Sequence, residues 1–193
     1  MQEAVSDHGV SSARGLAKTL LQSLGDRWQH TVGVAARAVE LRVTVESTQC
    51  TRLVAAAWLH DIGYSPVLAH TGFHPLDGAA FLERVGWPHD IVCLVANHSG
   101  AHFVAEALGI GEMLRPYRIE ESAILDALTY ADQTVGPTGH RLSIRHRIAD
   151  AQTRHGSTSA QAKARHRRVP YLLEVASRVE SRLSGLAGTS PAA

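Results

Sequence analysis

No stretch of this 193-residue chain sustains an alternation of apolar and polar residues with a period of two. Its apolar residues recur every three or four positions instead, the spacing of one face of an α-helix. Leu16, Leu20, Leu21 and Leu24 form one such stripe within Ser11–Leu24, closed by Gly25. Asp26 is placed to cap a second helix, Arg27–Val45, with Val32, Ala35, Ala36, Val39 and Val43 as its apolar face. A third runs from Thr48 or Thr51 through Leu53–Leu59 to Gly63, and a loop, Tyr64–Phe73, follows. Pro75 suits the first turn of a fourth, stopped by Gly86, and Trp87-Pro88 opens a fifth to about Asn97. Ala101–Leu108, Glu120–Thr134, Leu142–Arg154 and Val169–Leu186 complete the set, with connectors at Gly109–Arg118 and Gly156–Arg168. The expected class is all-α, an irregular multi-helix bundle, because the helices are short and the stripes too broad for a heptad seam.

The chain is long enough to bury a core without a disulfide or a metal staple. The expected organisation is an N-terminal helix over residues 1–25, a core over 26–139, and basic helices over 140–193 whose last residues fray. Charge supports that last division. Residues 1–139 hold 9 Lys/Arg against 15 Asp/Glu, whereas residues 140–193 hold 10 against 3. A basic segment can bind phosphates or nucleic acid, but a solvated helix face balancing an acidic body is the simpler reading. Cys50 and Cys93 lie in apolar stretches with no CxxC pair, which reads as two buried thiols in a reducing compartment. The first residues, MQEAVSDHGV, lack the order of a signal peptide, and no run approaches the ~18 consecutive apolar residues of a membrane span. A cytoplasmic location and no membrane partner are expected.

The chain's 12 histidines are the compositional oddity, and their placement is more telling than their number. Trp58-Leu59-His60-Asp61-Ile62-Gly63 sets a His-Asp pair directly after an apolar helix. Neighbours on a helix point about 100° apart, so both can face one ligand only near a helix end. Four more polar residues interrupt or end apolar segments: His30 in Arg27-Trp28-Gln29-His30, His74 before Pro75, His98 before Ser99-Gly100, and Asp132 after Tyr130-Ala131. Asp132 shares a stripe with Ile124, Leu125, Leu128 and Ala131, where a lone acid costs several kcal/mol unless it is paired or binds metal. Imidazole and carboxylate together suit borderline divalent cations such as Mn, Fe, Co or Zn.

The order His…His-Asp…His…His…Asp over residues 26–135 resembles the HD superfamily of metal-dependent phosphohydrolases. The resemblance implies that His30, His60, Asp61 and Asp132 hold one metal. In two-metal members it implies that His74 and His98, with Asp61 as the bridge, hold a second ion. In a one-metal member the first set suffices and His74 and His98 would act as acids toward the leaving group, so that Asp61, His74 and His98 carry the catalysis in either case. The implied reaction is cleavage of a phosphoester or phosphoanhydride in a nucleotide or small phosphorylated metabolite by metal-activated water. The implied cofactor is a pair of divalent ions. A catalytically silent, metal- or nucleotide-binding regulatory module is the alternative, although such a module is expected to have lost ligands and none of the six is lost.

One departure stands out. Many phosphodiesterase-type and nucleotidase-type members carry Lys three residues after the HD aspartate; here that residue is Tyr64, which can donate a hydrogen bond but brings no charge. The Gly-Tyr-Pro signature of cyclic di-GMP hydrolases is also absent. Arg27 and Tyr64 are the candidate phosphate contacts. His70 and His102, within four residues of expected ligands, are candidates for outer support. His8, His89, His140, His146, His155 and His166 are expected on the surface, and Trp28 and Trp87 in the core. No zinc finger or RNA-binding signature accompanies the basic segment, so a small phosphorylated molecule, not nucleic acid, is the expected partner.

Overall fold

The computed structural model describes residues 7–118, 120–154 and 158–187. Nine α-helices make up most of them: α1 (Asp7–Leu21), α2 (Asp26–Leu41), α3 (Cys50–Leu59), α4 (His74–Arg84), α5 (His89–Asn97), α6 (Ala101–Leu108), α7 (Ala123–Gln133), α8 (Ile144–Arg154) and α9 (Ala160–Ala187). Among the described residues there is no strand, and only an isolated bridge pairs Val135 with Arg141. The all-α expectation holds. His155 and residues 188–193, expected on the surface and at a frayed end, lie outside the described residues.

α3 is the hub. Leu53, Val54, Ala55, Ala56, Ala57 and Leu59 are all buried, so this helix is apolar on every side and sits in the centre of the bundle. Its small alanines admit α1, α2, α5 and α7 around it. α7 is equally enclosed, with every residue from Ile124 to Gln133 buried. α9 crosses α6 and α7, anchored where Asp126 accepts hydrogen bonds from Arg178 (2.7 and 2.9 Å) and Arg182 (2.9 Å).

Three expectations are corrected. α2 buries His30, Thr31, Val34, Ala35, Ala38 and Leu41, whereas Val32, Val39 and Val43 are exposed. Two polar residues share the inward face, and that displaces the apparent apolar stripe. Asp26 lies inside the first turn of α2, and Gly25, at φ 53°, opens the helix in its place. α9 begins at Ala160, upstream of the expected Val169, and continues through Pro170. The sequence Ala160-Gln-Ala-Lys-Ala-Arg is rich in strong helix formers, and the fold tolerates the one backbone bond the proline cannot make.

Of the cysteines, Cys93 is buried and Cys50 only half-buried; both are free. Trp28 and Trp87 pack against the core as expected. His89–Leu108 is, by length and composition, apolar enough to cross a membrane, but 67% of that window is buried. It is also two helices, which meet at Ser99 (φ 57°) and Gly100 (φ 67°).

Candidate metal centre

Helix ends build the site. His60 and Asp61 follow the last residue of α3, His74 opens α4, His98 follows α5, His30 lies in the second turn of α2 and Asp132 in the last turn of α7. Gly63 lets two of these ends meet. A Cβ on Gly63 would stand 2.0 Å from the His74 carbonyl oxygen and 2.7 Å from the Gly78 nitrogen, so only glycine allows the turn after Asp61 to lie against the start of α4.

The ligand atoms fall into two groups, His30/His60/Asp132 and Asp61/His74/His98, with one atom from each residue within 4.8 Å of the others. Asp61 faces both. Its Oδ2 lies 3.3 Å from His60 Nε2 and 3.7 Å from His30 Nε2, while its Oδ1 lies 3.2 Å from His74 Nε2 and 3.9 Å from His98 Nε2. His60 Nε2 is 4.0 Å from Asp132 Oδ1. Two atoms on one first-row cation at ~2.1 Å stand roughly 3.0–3.5 Å apart when adjacent and up to about 4.2 Å when opposite, so separations of 3.2–4.0 Å leave room for a shared ion.

Backbone carbonyls orient the imidazoles. Nδ1 of His60 lies 2.7 Å from the Ala57 carbonyl, Nδ1 of His98 2.7 Å from that of Val95, and Nδ1 of His30 3.1 Å from that of Gly136. A carbonyl only accepts, so each Nδ1 carries a proton and each Nε2 turns its lone pair inward. The consequences are visible. His60 Nε2 is buried without a hydrogen-bond partner, and His30 Nε2 sits 3.0 Å from a carboxylate oxygen of Asp132. Nε2 of His74 and of His98 approach to 3.3 Å. The His98 lone pair therefore points at His74 Nε2, which also lies beside Asp61 Oδ1, and a divalent cation placed among these atoms would meet all three.

Electrostatics point the same way. Burial pushes the carboxyls of Asp61 and Asp132 up, but the groups around them (His60 and the Arg27 guanidinium for Asp61, the hydrogen-bonding contact with His30 for Asp132) hold both well below the usual range, so both stay carboxylates. Burial pushes the His60 imidazole down, yet the charges of Asp61 and Asp132 outweigh it and raise it. Burial, with His60 and His74 nearby, pulls His98 down to about 3 and keeps it neutral, the form that binds metal. Burial also lowers His74.

A family model for the HD domain matches residues 27–151, well over half of the chain. The chain belongs to the HD domain family. HD domains are typically metal-dependent hydrolases, and the two His/Asp groups here are compatible with divalent metal binding. No curated protein and no solved structure matches the chain at a significant level.

Around this HD centre a cleft of about 350 Å3 opens between Arg27, Tyr64, His74, His98 and Asp132 on one side and α8 and α9 on the other. Arg27 donates from Nη1 to Asp61 Oδ2 at 2.6 Å, so it steadies the shared carboxylate. Its guanidinium lies 3.9 Å from the centre of the Tyr64 ring, whose other neighbour is the stacked imidazole of His74, also at 3.9 Å. Tyr64 is partly exposed at the cleft, but loss of water around its phenol, with Asp61 nearby, pushes it up to about 12, so it stays a donor. His70 and His102 are not brought in. The His70 side chain is exposed, and His102 packs on Phe103 and Tyr171. His89, His140, His146 and His166 are exposed.

Sequence reasoning missed Ser99 and Gln133. Ser99 Oγ donates a very short hydrogen bond to Asp132 Oδ2, and Gln133 Nε2 donates to the same oxygen at 2.8 Å. Together they leave Oδ1 facing His30. The Ser99-Gly100 pair after His98 was the available signal, since a left-handed turn there directs the serine back toward α7.

Proposed function

We propose that the protein is a dinuclear metal-dependent phosphohydrolase that cleaves a nucleotide or another small phosphorylated metabolite. His30, His60, Asp61 and Asp132 hold one ion; His74, His98 and Asp61 hold the other. The observation that carries this reading is the split of Asp61, one oxygen toward each group of histidines. A carboxylate can serve two cations in this way, whereas a neutral imidazole offers one lone pair. When bound, the two ions supply an activated water and neutralise the oxygens of the attacked phosphoryl group. The chain's own residues do the rest. Asp61 and Asp132 balance the charge, Arg27 fixes the Asp61 rotamer, and Tyr64 offers a neutral donor at the cleft mouth. Two free cysteines accord with a reducing, cytoplasmic setting.

The test is metal stoichiometry combined with turnover. Protein saturated with Mn or Fe should carry about two ions per chain, with ligands at ~2.0–2.3 Å. It should hydrolyse at least one member of a panel of nucleotides and phosphate esters. His74→Ala and His98→Ala should each lower the metal content toward one and abolish turnover. Wild-type protein that saturates at one ion refutes the dinuclear site. Binding of nucleotides without hydrolysis would leave the silent regulatory module in its place.

A further inference from the structure

The basic C-terminal helices supply none of the six metal-ligand residues, yet two of their arginines line the same cleft, Arg147 from α8 and Arg168 from α9. Arg147 Nε is buried without a hydrogen-bond partner. Arg168 donates from Nε to the Ser99 carbonyl at 2.8 Å, which pins its guanidinium beside His98 and leaves both Nη groups uncommitted to it. Among the described residues neither arginine has a carboxylate within ion-pairing distance, whereas Arg178 and Arg182 of the same α9 are held by Asp126. Asp132 attracts both through space but is already engaged by His30, Ser99 and Gln133, so a ligand anion would offset more of the cost of drawing these guanidiniums out of water.

The metal centre already answers the charge of one phosphoryl group. Two further guanidiniums over the same small cleft call for a second anion, and their planar forks match phosphate oxygens two at a time. The volume of about 350 Å3 lies at the small end of ligand pockets, so that anion must belong to the same compact molecule. We propose that Arg147 and Arg168 form a second phosphate subsite, so that the substrate carries at least two phosphoryl groups, one over the His/Asp centre and one between these arginines. This rests on the phosphohydrolase reading, but it concerns residues that reading leaves unused. Arg168 even lies beyond the region matched by the HD model.

Calorimetric titration of the Mn-loaded protein with imidodiphosphate, whose P–N–P bridge resists hydrolysis, and with orthophosphate tests the subsite. Imidodiphosphate should bind at least about tenfold tighter than orthophosphate; Arg147→Gln and Arg168→Gln should each weaken it about tenfold while orthophosphate changes by less than about threefold. Bound Mn should stay unchanged in both variants, and Arg147→Lys should recover part of the loss because it restores the charge. Equal affinity of the wild type for the two anions, or wild-type imidodiphosphate binding in both glutamine variants, overturns the subsite. Protein that takes up no Mn refutes the hydrolase reading by itself. The same titration on that metal-free protein still decides the subsite, since any difference between wild type and variants then comes from the arginines.

Discussion

Gly63→Ala isolates the close approach on which the second half of the metal centre depends. The added Cβ would sit 2.0 Å from the His74 carbonyl oxygen, 2.8 Å from its carbon and 2.7 Å from the Gly78 nitrogen, where ordinary contact begins at 3.4 Å. All three atoms are backbone, so no rotamer change relieves the clash, and the turn after Asp61 must separate from α4 by more than an ångström. Two effects oppose each other. Restricting the unfolded chain favours alanine by about 0.4–1 kcal/mol, whereas overpacking costs about 1–3 kcal/mol, and more against rigid backbone. The clash wins, and the net loss should be about 2 kcal/mol, or roughly 4–8 °C in melting temperature for a chain of this size. The same displacement pulls His74 away from Asp61, now 3.2 Å apart, and a metal site tolerates only about 0.5 Å of error. The variant should therefore lose one ion of two. Gly78→Ala is the internal control. Its Cβ would meet its nearest neighbours at 3.2–3.5 Å, and a helical alanine contributes about 0.5–1 kcal/mol, so it should be near neutral. Thermal unfolding and elemental analysis read both. A Gly63→Ala protein with wild-type melting temperature and metal content would refute the argument.

Metal should stabilise the fold: at a free Mn concentration 100 times Kd the gain is about 2.7 kcal/mol, a rise of roughly 5–10 °C that a chelator reverses. A melting curve indifferent to both additions would speak against a site formed only in the folded chain. Asp126→Ala should destabilise by about 2 kcal/mol in urea titration, because it strips the buried acceptor from Arg178 and Arg182, whose exposure of about a third limits the loss. A change below about 0.5 kcal/mol would show that α9 is held by apolar packing alone. Tyr117, Tyr130 and Tyr171 are raised above 10.0, chiefly by burial; Tyr117 and Tyr171 reach about 12. A raised folded-state value contributes stability that is complete below pH 10 and lost as pH climbs through about 12. Phenolate absorbance should thus appear in the folded protein well above the pH at which guanidinium-unfolded protein shows it. Coincident titrations would contradict the burial.

The candidate metal-ligand positions were legible because helix ends carry most of them. A histidine or aspartate that closes an apolar run stands out along the chain, as His60-Asp61, His98 and Asp132 do, and the structure brings all six residues together. His30 shows the limit of the same logic. It lies within α2 and not at its end, and with Thr31 it replaces apolar side chains on the inward face. A periodicity read from hydrophobicity alone therefore rotates toward Val32, Val39 and Val43, which are exposed. His30 stands beside the other candidate ligands as expected, and the face that holds it was misassigned for the same physical reason.

Long, flexible side chains leave no comparable trace. The excess of basic residues from residue 140 on is plain in the composition, but ten cations, nine of them on helices, look alike until the fold decides which of them lose their water. Arg178 and Arg182 meet Asp126, Arg167 meets Glu106, and Arg147 and Arg168 line the cleft, Arg168 held there by the Ser99 carbonyl. Those outcomes depend on where α8 and α9 cross α6 and α7, which no local pattern encodes, and on α9 continuing through Pro170 so that Arg168 stands on the same rigid rod as Arg178. A metal centre is written as interruptions in local pattern, whereas the walls that choose its substrate are written in the packing angles of helices. That is why the candidate metal ligands of this chain stand out in its sequence, whereas the walls of the cleft beside them emerge only in the fold.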